Sequence, residues 1–150
     1  SIKIPSSVVS IEGNPFYNCD NLKMIDVSEN QNFVFVEGVL FDKEMTQIIS
    51  CTSSKSGDYT IPSTVTTIRG CAFTGCGKLT SIIIPNSVTT IVRSAFSNCS
   101  GLPSIVIPES VTDIGDYAFY DCSNLKTVSI PKDLEYDLDT FPNGATITEY

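Results

Sequence analysis

The sequence predicts a β-rich solenoid with one short parallel strand per 23-residue turn, a short helical or 3-10 turn opposite each strand, and an inserted β-hairpin. Three observations carry this. The pair Ile-Pro recurs at Ile61-Pro62, Ile84-Pro85, Ile107-Pro108 and Ile130-Pro131, each 23 residues after the last, and Ile4-Pro5 opens an earlier copy. Other columns keep the same period: Val8, Val65, Val88, Val111; Ile11, Ile68, Ile91, Ile114; Phe16, Phe73, Phe96, Phe119; Cys19, Cys76, Cys99, Cys122; Leu22, Leu79, Leu102, Leu125. Finally, a unit this short cannot bury its own apolar face, so each copy must cover its neighbour and extend one core along an axis.

The elements follow in chain order. Residues 4–26 form a first copy in which Pro15 replaces the column alanine. Copy two, 27–60, is longer than the period by 11 residues and lacks the Phe and Cys columns. Its excess contains "FVFVEGVLFD", residues 33–42, two apolar runs around Glu37-Gly38, where glycine supplies the positive φ of a tight hairpin turn. A third strand is expected near Gln47–Cys51, followed by a polar loop, "TSSKSGDY". Copies 61–83, 84–106 and 107–129 are regular. In each, a stretch such as Ser81-Ile82-Ile83-Ile84 is rich in β-branched residues and stops at proline, which reads as the strand. The segment Ser94 to Cys99 reads as the helical or 3-10 turn, with Phe96 plugging the core. Residues 130–150 lose the Phe and Cys columns and keep alternation over Ala145–Tyr150, as a terminal cap would. The whole, 1–150, reads as one domain; because it opens inside a repeat, the expectation is a fragment of a longer chain.

Composition narrows the function. The 150 residues contain no His, which removes His-based nucleophilic, general-base and zinc chemistry. Net charge is −8, concentrated after residue 106, where 9 acids face only Lys126 and Lys132. Nucleic-acid binding needs a basic footprint, and no Lys/Arg cluster exists. No apolar run is long enough to cross a bilayer, so no membrane insertion is expected from these residues. The thiols of the Cys19, Cys76, Cys99, Cys122 column have no Lys, Arg or His close in sequence to activate them, and read as a buried, inert ladder. Cys51 and Cys71 lie outside that column and would meet only if the insert folds back. Asp113 and Asp116, or Glu135, Asp137 and Asp139, lack a ligand loop and read as solvated surface. No catalytic residue, metal site or cofactor is therefore assigned.

The repeated Ile-Pro-x-Ser-Val-Thr-x-Ile, with Ala-Phe-x-x-Cys-x-x-Leu after it, resembles the BspA-like subclass of leucine-rich repeats. So do the irregular "VEGVLFDKEMTQIISC" and the ending "FPNGATI". The resemblance implies a leucine-rich-repeat solenoid, an extracellular or cell-surface location, and a protein ligand such as a host matrix or cell-surface protein.

Alternation along the strand then says which residues such a ligand would meet. If Ile82 and Ile84 face the core, Ile83 faces out. The outward column is Lys3, Asp26, Ile83, Val106 and Ser129, beside Met24, Ser81, Ser104 and Thr127. Two readings remain open at this point: a non-catalytic interaction or adhesion module that binds protein through this strand face, and a passive spacer or stalk that carries other domains.

Overall fold

The computed structural model describes residues 1–150. Its strands are β1 (Ile2–Lys3), β2 (Ile25–Asp26), β3 (Phe33–Val36), β4 (Val39–Asp42), β5 (Gln47–Cys51), β6 (Gly57–Thr60), β7 (Thr67–Ile68), β8 (Leu79–Ile83), β9 (Thr90–Ile91), β10 (Ser104–Val106), β11 (Asp113–Ile114), β12 (Thr127–Ile130) and β13 (Thr146–Glu149). They coil into a solenoid. Equivalent strands of successive turns pair in parallel: β6 with β8, β10 with β12, β12 with β13, and β1 with β2. Each regular turn also holds a second short strand, absent from the sequence expectation. These strands, β7, β9 and β11, form a second parallel ladder that continues into the insert through β5.

The insert is a partition. Strands β3 and β4 pair antiparallel around Glu37 and Gly38, both at positive φ (50° and 84°), the backbone that a two-residue hairpin turn requires. Pairing of β4 with β5 slips by one residue between Leu40 and Phe41, leaving Ile49 as the extra residue of a bulge. The slip reverses the alternation, so Val39, Phe41, Ile48 and Cys51 all enter the large core while Leu40 and Ile49 enter a small one with Ile4, Ile25 and Phe33. The first copy thus lies on one side of a β-wall and the regular array on the other. Polar ties cross between them: Arg69 donates to the carbonyls of Ile11 (2.6 Å) and Glu12 (3.0 Å), and Asn14 donates to the Cys71 carbonyl (2.7 Å). Lys55 holds the hairpin tip to β6, donating to the Glu37 carbonyl (2.7 Å) while lying 4.1 Å from the centre of the Tyr59 ring.

The turn opposite the strands is neither α-helical nor 3-10, which corrects the expectation for Ser94–Cys99 and its equivalents. Its amides alternate. In one turn Ala72, Thr74 and Cys76 donate three residues back, to Arg69, Cys71 and Phe73, while Cys71, Phe73 and Gly75 donate to Arg93, Ala95 and Ser97 of the next turn. A 3-10 helix would spend every amide on itself. Here positive φ recurs at Cys71, Ser94 and Tyr117, and again at Gly75, Asn98 and Asp121, turning alternate amides toward the neighbour. The turn is therefore a rung of a third ladder, tying coil to coil on the side away from the strands.

Inside, the columns are real stacks. Phe73, Phe96, Phe119 and Phe141 lie ring on ring, with centroids 5.0, 4.9 and 5.5 Å apart and planes within 17° of parallel. That spacing is the strand-to-strand repeat. Phe141 shows that the aromatic column continues into the terminal segment, where the sequence reading had ended it. The sulfur column is also revised: Cys19 is exposed, and Cys51 takes the corresponding place beside Cys76, Cys99 and Cys122, all buried. The wall separates Cys19 from the array and the β5 bulge delivers Cys51 instead. The loop expectation for 52–59 is corrected too, since Gly57–Thr60 forms β6.

Candidate functional site

The thiols of Cys51, Cys76, Cys99 and Cys122 are shielded from solvent. Cys99 and Cys122 point their sulfurs at the carbonyls of Phe73 and Phe96, each at 3.1 Å. Burial raises the Cys99 thiol well above its ordinary value and pushes Cys122 up to about 12. A hydrogen bond with Cys76, reinforced by burial, raises Cys51 in the same direction. Thiolate, the reactive form, is disfavoured at Cys51, Cys99 and Cys122. Elsewhere the carboxylates of Asp116 and Asp137 share a hydrogen bond that raises Asp137. No group of three or more Cys, Asp or Glu side chains is gathered as metal ligands.

What the fold does present is the outer face of the β6, β8, β10, β12 and β13 rungs. Ile82 and Ile84 are each 7% exposed and Ile83 is 57% exposed, with Val106 at 58% on the next rung. Register aligns the rungs as Thr60 with Ile83, Val106 with Ser129, and Ser129 with Thr148. A second row runs Asp58 beside Ser81, then Ser104, Thr127 and Thr146. Of the sequence-predicted residues, Ser81, Ile83, Ser104, Val106, Thr127 and Ser129 therefore share one surface. Lys3, Met24 and Asp26 do not join it. They sit on the separate β1–β2 pair beyond the wall, where Lys3 is held in an exposed ion pair with Glu29 (2.7 Å) and Asp26 accepts from the Ser28 amide (2.9 Å). Asp58, Thr60, Thr146 and Thr148 belong to the face and were missed. For the first two the signal was present, because Thr60 stands 23 residues before Ile83 and immediately before Ile61-Pro62.

Electrostatically this face is distinct from the rest of a chain with net charge −8. Asp58 is the one ionisable side chain in its two rows, and Thr80 donates to it at 3.1 Å. The remaining positions are hydroxyls around Ile83 and Val106. The face thus has an aliphatic centre, Ile83 and Val106, within a polar surround of hydroxyls and the single carboxylate of Asp58.

Comparison with known proteins places the architecture. The BspA type leucine-rich repeat region matches in 6 copies, over residues 1–56 and 49–149. A leucine-rich repeat protein from Eubacterium ventriosum superposes with a TM-score of 0.83 at 36% identity over 88% of this chain. A leucine-rich cell surface protein from Faecalibacterium prausnitzii gives 0.74 at 26% identity over 99% of the chain. The pneumococcal vaccine antigen PcpA gives 0.70 at 27% identity over 86%. In each case the matched part is less than half of the other protein: 36%, 47% and 38% of their lengths respectively. No curated protein matches the sequence.

Proposed function

The chain belongs to the BspA type leucine-rich repeat family, whose repeats generally serve in protein interaction, and from that premise we propose that it is a non-catalytic binding module of a secreted or cell-surface protein. It holds a protein ligand on the β8–β10–β12 face. The observation that carries this reading is the adjacent pair Ile83 and Val106, more than half exposed at the centre of a hydroxyl-rich surface on an acidic chain. Exposed, these two aliphatic side chains gain no burial energy, and threonine would supply the same β-branching at a strand position. The surface location is supported by two structural relatives, one described as a cell surface protein and one as a vaccine antigen.

The test is capture. The chain, immobilised and exposed to extracellular matrix proteins and to surface proteins released from cells, should retain specific ligands. The double variant Ile83→Glu, Val106→Glu should lose at least tenfold in affinity, about 1.4 kcal/mol, with an unchanged circular dichroism spectrum. Equal capture by the variant would remove this face from the account, and capture of nothing by the parent chain would favour a spacer.

A further inference from the structure

The β5, β7, β9 and β11 ladder is a series of carbonyl pairs, each filled by amides of the coil that follows. Thr46 and Ile48 accept from Thr66, Thr67 and Arg69; Thr66 and Ile68 accept from Thr89, Thr90 and Val92; Thr89 and Ile91 accept from Thr112, Asp113 and Gly115. The next pair, the carbonyls of Thr112 and Ile114, accepts from no backbone amide. By equivalence their oxygens point the same way along the axis, toward the terminal segment. One period on from these two residues stand Glu135 and Asp137, but no strand forms there, and β11 is left as the edge of its sheet. Between the two segments lies a surface hollow of about 640 Å³, with Thr112, Asp113 and Ile114 on one side and Glu135, Tyr136 and Asp137 on the other. No basic side chain lines it, and Lys132 lines the adjoining hollow instead.

We propose that this end of the ladder is a second docking site, separate from the β8–β10–β12 face, and that it receives an arginine side chain from a basic segment of a partner protein. The Thr112 and Ile114 carbonyls offer acceptors, and Asp113, Glu135 and Asp137 add negative charge. A guanidinium answers both, with five donors in a planar fork, no acceptor and a permanent charge. Tyr136, 38% exposed and held edge-on to Phe141 with ring centres 5.3 Å apart, adds an aromatic surface on which a guanidinium packs. The chain makes both kinds of contact internally. Arg69 donates to the carbonyls of Ile11 and Glu12, and the Arg93 guanidinium lies 5.1 Å from the centre of the Tyr117 ring. The charge of the surroundings favours the same partner, since the 9 acids after residue 106 face only Lys126 and Lys132 and draw cations to this end. A divalent metal is the poorer match, because the carboxylates are not gathered as ligands around one point.

The experiment titrates the isotopically labelled chain with two blocked pentapeptides of serine and threonine, one carrying a central arginine and the other its neutral isostere, citrulline. At millimolar concentration the arginine peptide should shift the amide resonances of Asp113, Ile114, Glu135, Tyr136 and Asp137, and the citrulline peptide should bind at least fivefold more weakly. The double variant Glu135→Gln, Asp137→Asn should lose at least threefold in affinity for the arginine peptide with an unchanged circular dichroism spectrum. The variant Ile83→Glu, Val106→Glu should bind that peptide as the parent chain does, so the two surfaces succeed or fail separately. No shift, or equal binding of both peptides, would overturn the proposal. So would shifts of the same size at Asp121 and Glu149, the mark of diffuse attraction to an acidic surface, or the same shifts with calcium chloride alone, the mark of a metal site.

Discussion

Replacing Phe96 with alanine is expected to destabilise the chain by about 3–5 kcal/mol, the range for removing a buried aromatic from a close-packed core. Phe96 is fully buried and lies between Phe73 and Phe119, 5.0 and 4.9 Å away and nearly parallel to both. Alanine removes contacts on both faces at once. The neighbouring coils cannot close the gap, because the β7–β9–β11 ladder and the turn ladder fix their spacing. In a solenoid each rung is stabilised mainly by the rungs beside it, so a defect in the middle also weakens coupling between the two ends. Urea denaturation followed by circular dichroism checks this. The comparison is Phe16→Ala, in the same sequence column but half-buried and attached to the small core beyond the wall, where a smaller loss is expected. A loss below about 1 kcal/mol at Phe96 would mean that the rings do not stack inside.

The second large effect is expected at a residue with no side chain. A Cβ at Gly101 would clash with the Leu79 carbonyl oxygen and lie 2.5 Å from that of Gly77. Both are backbone atoms rather than the ends of flexible side chains, so relief requires separating two rungs. Gly101→Ala should therefore cost about 1–3 kcal/mol or more, the range for overpacking a rigid site, even though alanine is the smallest possible change. Gly144→Ala provides the control: nothing lies within 4 Å of its added Cβ, and stability should be unchanged. Equal midpoints for the two variants in urea would show that the rungs are looser at Gly101 than this packing requires.

Much of this architecture was legible because a solenoid writes itself into the sequence as a period. Ile82, Ile105 and Val128 had to share one environment once the 23-residue spacing was seen, and Ile83 and Val106 then had to face the other way. What the period could not convey arises where it is broken or where backbone outweighs side chain. Counting back from Cys76 gives Ser53, so nothing in the spacing pointed to Cys51; the bulge at Ile49 is what turns it inward. Cys19 kept its column in the sequence but lost its neighbours when the β-wall intervened. Positive φ at Ser94 and Tyr117 carries no glycine signature, so the turns read as helical although their amides are spent on the next coil. The candidate face was legible at its centre and incomplete at its ends, because Asp58 and Thr60 sit in a stretch whose serines and glycine resemble a loop.

The cysteines offer the most direct measurement of whether like side chains share columns through the interior and leave only the flanks free. The folded chain is treated with a thiol-alkylating reagent, and labelled positions are read by peptide mass spectrometry over time. Cys19 should react first and the half-buried Cys71 more slowly, whereas Cys51, Cys76, Cys99 and Cys122 should remain unmodified until the chain is unfolded. Modification of Cys99 or Cys122 at the rate of Cys19, under conditions where the circular dichroism spectrum is native, would contradict the stacked interior.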